Sequence, residues 1–128
     1  MRIVSFAWTA QALLDDLKTI TRRNWKDCRL VPGELVQAWD KLPHRGGKQI
    51  ALIQIVSVRR EQLKEITEEE VIKEGGLWEN REAFIEAWLK AYPGSSEDDL
   101  IWRIEFALVS KRPIPDPEQL ELGLGYKM

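Results

Sequence analysis

The segment Gln49-Ile50-Ala51-Leu52-Ile53-Gln54-Ile55-Val56-Ser57-Val58 carries apolar residues at neighbouring as well as alternate positions. A strand with that pattern is apolar on both faces. It must be covered on both, which places it in the middle of a sheet. The other elements have to be arranged around it. The clearest partner is Leu100 to Val109, where Leu100, Trp102, Ile104, Phe106 and Leu108 alternate with Arg103 and Glu105. Period-two alternation predicts a strand with one buried face.

The remaining elements follow from local signals. Ile3 to Trp8 is compact, β-branched and aromatic, and reads as a first strand. Thr9 is positioned as an N-cap. Ala10, Leu13, Leu14 and Leu17 then follow the i, i+3, i+4, i+7 spacing of a helix with one apolar stripe. Thr19, Ile20 and Thr21 favour extended structure. Pro32-Gly33 predicts a turn, Leu35 to Asp40 a strand, and Leu42 to Lys48, with Pro43, Gly46 and Gly47, a loop. Thr67-Glu68-Glu69-Glu70 has the form of a capping box ahead of Val71-Ile72, and Gly75-Gly76 ends that helix. Asn80 to Tyr92 predicts a longer helix with Phe84, Ile85, Trp88, Leu89 and Tyr92 on its core side, stopped by Pro93-Gly94. The order is β-α-β-β-β-α-α-β. A small, strongly bent sheet or barrel with helices at its ends satisfies it.

At 128 residues the chain fits one domain. The expected domain is 1–110, followed by an extended tail over 111–128 that carries Pro113, Pro115 and Pro117. No run of roughly 18 apolar residues is present, so no membrane helix is expected. Met1 to Trp8 is too short for a secretory signal, and the lone Cys28 fits a reducing, cytoplasmic setting. With one His and one Cys there is no recognisable zinc set, and no metal or cofactor is expected. His44, in a Pro/Gly loop, reads as a surface residue.

Charge is unevenly distributed. Residues 1–64 hold 12 Lys and Arg against 6 Asp and Glu, a balance of +6, while residues 65–128 hold 7 against 15, a balance of -8. Such a split either faces an anion with the basic half or matches one half against the other internally. The cations are densest in Lys18-Thr19-Ile20-Thr21-Arg22-Arg23-Asn24-Trp25. Lys and Arg bind phosphates, a neutral Lys activates a hydroxyl, and Trp stacks on bases. Trp88 and Trp102 fall on apolar stripes. Trp8, Trp25, Trp39 and Trp78 lie at element ends or turns, and among them Trp25 and Trp39 are the chosen pocket candidates.

The element order and the basic cluster together resemble the ASCH domain, a branch of the PUA-like superfamily. That family carries Gly-x-Lys-x-x-Glu-x-Arg after its first helix. The matching stretch is Asp16-Leu17-Lys18-Thr19-Ile20-Thr21-Arg22-Arg23, with Lys18 and Arg23 matched, Asp16 in place of Gly and Thr21 in place of Glu. The Lys-x-x-Thr-x-Arg form resembles a subgroup of small amidohydrolases that deacylate N4-acetylcytidine with a Lys, a Thr and a Glu. Pro32-Gly33-Glu34 also resembles the turn and acid before the next family strand. The resemblance spans roughly residues 3 to 110. It implies an α+β fold, a small mixed β-barrel of the ASCH type with flanking helices. Relative to that subgroup, Trp78 through Ser96 is an added segment containing a full helix.

Three functions follow from this resemblance. The first is binding of RNA or a modified nucleotide in a basic cleft, with Lys18, Arg22 and Arg23 meeting phosphate and Arg22, Arg23, Trp25 and Trp39 as ligand contacts. The second is amidohydrolysis of an acylated nucleoside, with Lys18, Thr21 and Glu74 catalytic. The third is ribonuclease activity. Hydrolysis requires Lys18 to sit in the turn before the strand, because residues 18 and 21 of a regular strand point to opposite faces. Glu74 is unusual on its own terms. A carboxylate in the last turn of a helix opposes the macrodipole at a cost of roughly 0.3–1 kcal/mol.

Overall fold

A computed structural model describes residues 1–111; the expected proline-containing tail lies outside the described residues. The elements are β1 (Ile3–Ser5), α1 (Ala10–Leu14), β2 (Ile20–Arg23), β3 (Leu35–Trp39), β4 (Gln49–Gln62), α2 (Glu68–Lys73), α3 (Arg81–Ala91) and β5 (Leu100–Ser110). The five strands form one sheet in the order β1-β3-β4-β5-β2, with β1 parallel to β3 and the other pairs antiparallel. β4 is central, as its two-faced apolar pattern requires. It runs on to Gln62 because Arg59 to Gln62 pair with Leu100 to Arg103. Those polar residues show no strand periodicity; the ladder makes them a strand. No helix among the described residues is long and apolar enough to cross a membrane.

The expected barrel does not close. Its edges are β1, three residues long, and β2, four residues long, and they share no ladder. After Ser5 the chain leaves the sheet: the Phe6 amide donates to Trp39 O at 2.8 Å, and Ala7 takes φ 46° into a helical turn over Ala7–Thr9. A single side chain spans the remaining gap, with Arg23 Nη2 donating to Ser5 O at 2.7 Å. The first strand is therefore shorter than Ile3 to Trp8. Thr9 caps no helix, because its hydroxyl donates to Phe6 O at 2.6 Å.

The sheet bends at register shifts between Leu52/Ile53 and Ile55/Ser57, as bulges do. Its concave side encloses one core, with Val4, Phe6, Leu13, Val36, Ile53, Ile55, Ile104 and Phe106. A second core lies beneath α2 and α3 and contains Leu63, Ile66, Val71, Phe84, Ile85, Trp88 and Ile101. β5 serves both. Ile104 and Phe106 point into the first core, and Ile101, of opposite parity, points into the second. Leu100, expected inside, is instead exposed.

α1 is also shorter than its stripe suggested. The amides of Asp16 and Leu17 donate to the carbonyls of Leu13 and Ala12, at 3.2 and 2.9 Å, and Asp16 has φ 61°. This is a Schellman ending with a left-handed C′ residue. It turns Leu17 out to solvent and aims the next residue, Lys18, back into the protein. The capping box of α2 forms as predicted: Thr67 Oγ1 accepts from the Glu70 amide at 3.1 Å. Asn80 Oδ1 caps α3 by accepting from the Ala83 amide at 2.8 Å.

Candidate functional site

Helix α2 ends against the start of β2. Gly75 lets the chain leaving α2 pass close to α1: its φ of 135° is outside ordinary side-chain territory, and an added Cβ would lie 3.2 Å from Ala12 Cβ. The Thr19 amide donates to Lys73 O at 2.8 Å, tying the two segments together. Lys18 is thereby buried at the carboxyl end of α2. Its Nζ donates to Glu74 O at 2.8 Å, to Ile20 O at 2.9 Å and to Glu74 Oε1 at 3.2 Å. All three ammonium donors are used. Lys18 thus supplies the cation that a carboxylate at a helix C-terminus otherwise lacks. Burial lowers the Lys18 pKa, and Glu74 only partly restores it.

Arg22 extends the same network. Its Nη1 donates to Glu74 Oε2 at 2.8 Å, its Nε and Nη2 to Glu61 Oε1 at 3.1 and 2.5 Å, and its Nη2 also to Glu70 Oε1 at 3.2 Å. Glu70 Oε2 accepts from Arg103 Nε at 2.6 Å. Burial works against the charge on Arg22, but Glu74 and Glu61 outweigh it and raise its pKa. Lys18, Arg22 and Arg103 thus meet Glu61, Glu70 and Glu74, and the solvent-exposed Arg59 adds a fourth cation, its Nη2 3.5 Å from Glu61 Oε2. Much of the density of the basic cluster is therefore an internal match between the two halves of the chain. Arg22, expected to contact ligand, has its guanidinium committed to glutamates.

Arg23 differs from Arg22. Among the described residues it has no carboxylate within 4.0 Å, its Nε is buried without a partner, and its only hydrogen bond goes to Ser5 O. The guanidinium carbon lies 5.5 Å from the ring centroids of both Phe6 and Trp25. Burial lowers its pKa. Thr21, two residues back on the same strand face, lines the cavity and makes no side-chain hydrogen bond among the described residues.

These side chains border a cavity of about 260 Å³. Lys18, Thr21, Arg22, Arg23 and Glu74 form its polar side. Phe6, Trp8 and Thr9 contribute from the first strand and its turn. Trp78 and the α3 face of Phe84, Ala87, Trp88, Ala91 and Tyr92 complete it. Trp8, Trp78, Phe84, Trp88 and Tyr92 form a chain of rings with successive centroids 5.3, 4.7, 6.4 and 4.9 Å apart. The segment that looked like an insertion is thus a wall of the cavity. Trp25 and Trp39, the two tryptophans expected at the pocket, both lie elsewhere. Trp25 packs on the first core and its carbonyl accepts from Trp102 Nε1 at 2.9 Å, while Trp39 Nε1 donates to Gln37 Oε1 at 2.9 Å. Cys28 packs against the first core and His44 sits in the exposed Pro43–Arg45 turn.

Residue spacing missed Glu61, Glu70 and Arg103, and it assigned Phe84, Trp88 and Tyr92 to core alone. The charge split was the signal for the carboxylates. The aromatic stripe of α3 announced a face without showing that part of it borders empty space.

No protein-family model matches the chain and no curated protein matches it in sequence. Solved structures do match in fold. A DUF984 protein of Enterococcus faecalis superposes with a TM-score of 0.63 at 16% identity, covering 90% of this chain and 84% of that one. An ASCH domain of Lactobacillus crispatus gives 0.62 at 18% identity, covering 85% and 79%. An ASCH protein of Zymomonas mobilis gives 0.55 at 15% identity, covering 98% and 79%. The fold is that of ASCH domains.

Proposed function

We propose that this ASCH-fold domain binds a single nucleobase, presented as a base or nucleoside, in the cavity between β2 and α3. The observation that carries this reading is the composition of the cavity wall: a run of aromatic rings together with the Thr21 side chain, which makes no hydrogen bond among the described residues, and the Arg23 guanidinium, whose Nε has no partner. Rings give a flat ligand a stacking surface that is tolerant of base identity. The free donors give it orientation, in the usual pattern of a mostly apolar site with few polar groups. A volume of about 260 Å³ suits one base and not a length of strand, so an RNA ligand would have to offer an unstacked nucleotide.

A second reading has its own support. Thr21, Lys18 and Glu74 share the cavity, and Lys18 has a lowered pKa, as amidohydrolysis by a Thr nucleophile with a Lys base would use. Lys18 makes no hydrogen bond to Thr21, and its three donors are occupied by Ile20 and Glu74. A hydrolase would need to free Lys18 on substrate binding, which is why binding is preferred here.

The test uses the full chain. Cytidine, N4-acetylcytidine and a short RNA are titrated against it while tryptophan fluorescence is followed, and the nucleosides are then separated by chromatography. Saturable quenching by nucleosides with no product formed is the expected result. Deacetylation that Thr21→Val abolishes and Thr21→Ser partly keeps would establish the hydrolase instead. No response to either nucleoside would overturn both readings.

A further inference from the structure

One cation at the cavity stands apart from the ion network. Lys18, Arg22, Arg103 and the solvent-exposed Arg59 all contact Glu61, Glu70 or Glu74 directly. Arg23 borders the same cavity and, among the described residues, has no carboxylate within 4.0 Å; Glu74 acts on it only at longer range. A guanidinium offers five N–H donors in a planar fork, and here one nitrogen, Nη2, is spent on Ser5 O. Among the described residues Nε has no partner and Nη1 makes no hydrogen bond. Thr21 points from the same strand face and adds an unengaged hydroxyl. Removing a cation from water without an anion is costly, and cation–π contact with Phe6 and Trp25 offsets only part of that cost. Arg23 is thus a largely buried cation with no anion in direct contact among the described residues.

We propose that the natural ligand carries one planar carboxylate on its ring system, and that Arg23 and Thr21 receive that carboxylate while the aromatic wall stacks on the ring. This inference rests on the base-binding reading of the cavity and specifies the chemistry of its ligand. A carboxylate brings a single charge and two coplanar acceptor oxygens, which pair with a guanidinium edge in a charge-assisted bond. A phosphate monoester carries close to two charges at neutral pH and three acceptor oxygens. That exceeds the single charge of Arg23 and places a second charge beside Glu74. A neutral ring leaves Arg23 unpaired.

Three probes that share one ring decide it: uracil, uracil-6-carboxylate and uridine 5′-monophosphate, titrated calorimetrically against the full chain. The carboxylated ring is expected to bind at least about tenfold more tightly than uracil, as a charge-assisted pair supplies, and more tightly than the monophosphate. Arg23→Gln removes that preference, and Arg23→Lys, which keeps the charge without the fork, keeps part of it. The wild-type series needs no variant to fold. Equal affinity for uracil and its carboxylate, or a preference for the monophosphate, overturns the carboxylate assignment and leaves base binding standing. A preference that survives in folded Arg23→Gln also overturns it. Failure of all three probes to bind overturns both.

Discussion

Arg22 Nη2 lies 2.5 Å from Glu61 Oε1, across 39 positions of sequence, in a contact closed to solvent on both sides. Arg22 is shared among Glu61, Glu70 and Glu74, whereas its neighbour Arg23 has none of them. Removing one partner of a buried ion pair leaves uncompensated charge and costs about 3–5 kcal/mol. Arg22→Ala is therefore expected to lower the unfolding free energy by that amount. Arg23→Ala loses one bond to a backbone carbonyl and is expected to cost about 1–2 kcal/mol. Urea unfolding of the two variants checks the contrast, and equal losses would contradict the division of roles between these adjacent arginines.

Asp16 occupies the left-handed end of α1 with φ 61°, at the position where the motif it resembles has Gly. A residue with a Cβ is strained there, and Gly is not. Asp16→Gly should raise stability by about 1 kcal/mol, with the exposed pair to Lys111 contributing little to the balance. Thermal unfolding measures this; a lowered midpoint would show that Asp16 is held by something other than the turn.

Glu70 joins the capping box of α2 to the ion network. Burial works to raise its pKa, but the hydrogen bond from Arg103 and the charges of Arg22 and Arg103 outweigh burial and hold it below 4.5. Its stabilising contribution is thus complete above that ordinary value and is lost as pH falls through the lower, folded value. Wild-type stability should fall along an acid limb that is shallower in Glu70→Gln, which starts less stable at neutral pH. Urea midpoints measured from pH 7 to pH 3 test the slope, and parallel limbs would remove Glu70 from the acid response.

Ala87 and Ala91 keep the α3 face low where it borders the cavity, between Phe84, Trp88 and Tyr92. Ala87→Leu adds bulk to a half-buried site that already faces open space, so it is expected to fold with little change in stability. Nucleoside affinity should drop by roughly tenfold or more, a loss of about 1.4 kcal/mol or more. Unchanged affinity in the titration would place the ligand somewhere other than this cavity.

What the sequence determined by itself is local in origin. The Thr67–Glu70 box, the Pro32-Gly33 turn, the two-faced run of β4 and the alternation of β5 each act within a few residues. The order of elements was therefore readable, and with it the resemblance to ASCH domains. Lys18 and Thr21 were legible as candidates because a short motif carries them. The tertiary structure decided the rest. Pairing of Arg22 with Glu61, Glu70 and Glu74 spans 39, 48 and 52 positions, and no local pattern encodes which cation meets which carboxylate. The open sheet was decided by where β1 stops, which depends on the turn at Ala7 and the reach of Arg23. The cavity was decided by packing. Hydrophobic periodicity tells which face of α3 avoids water, but whether Trp88 meets another side chain or a space depends on the β2 residues brought up against it.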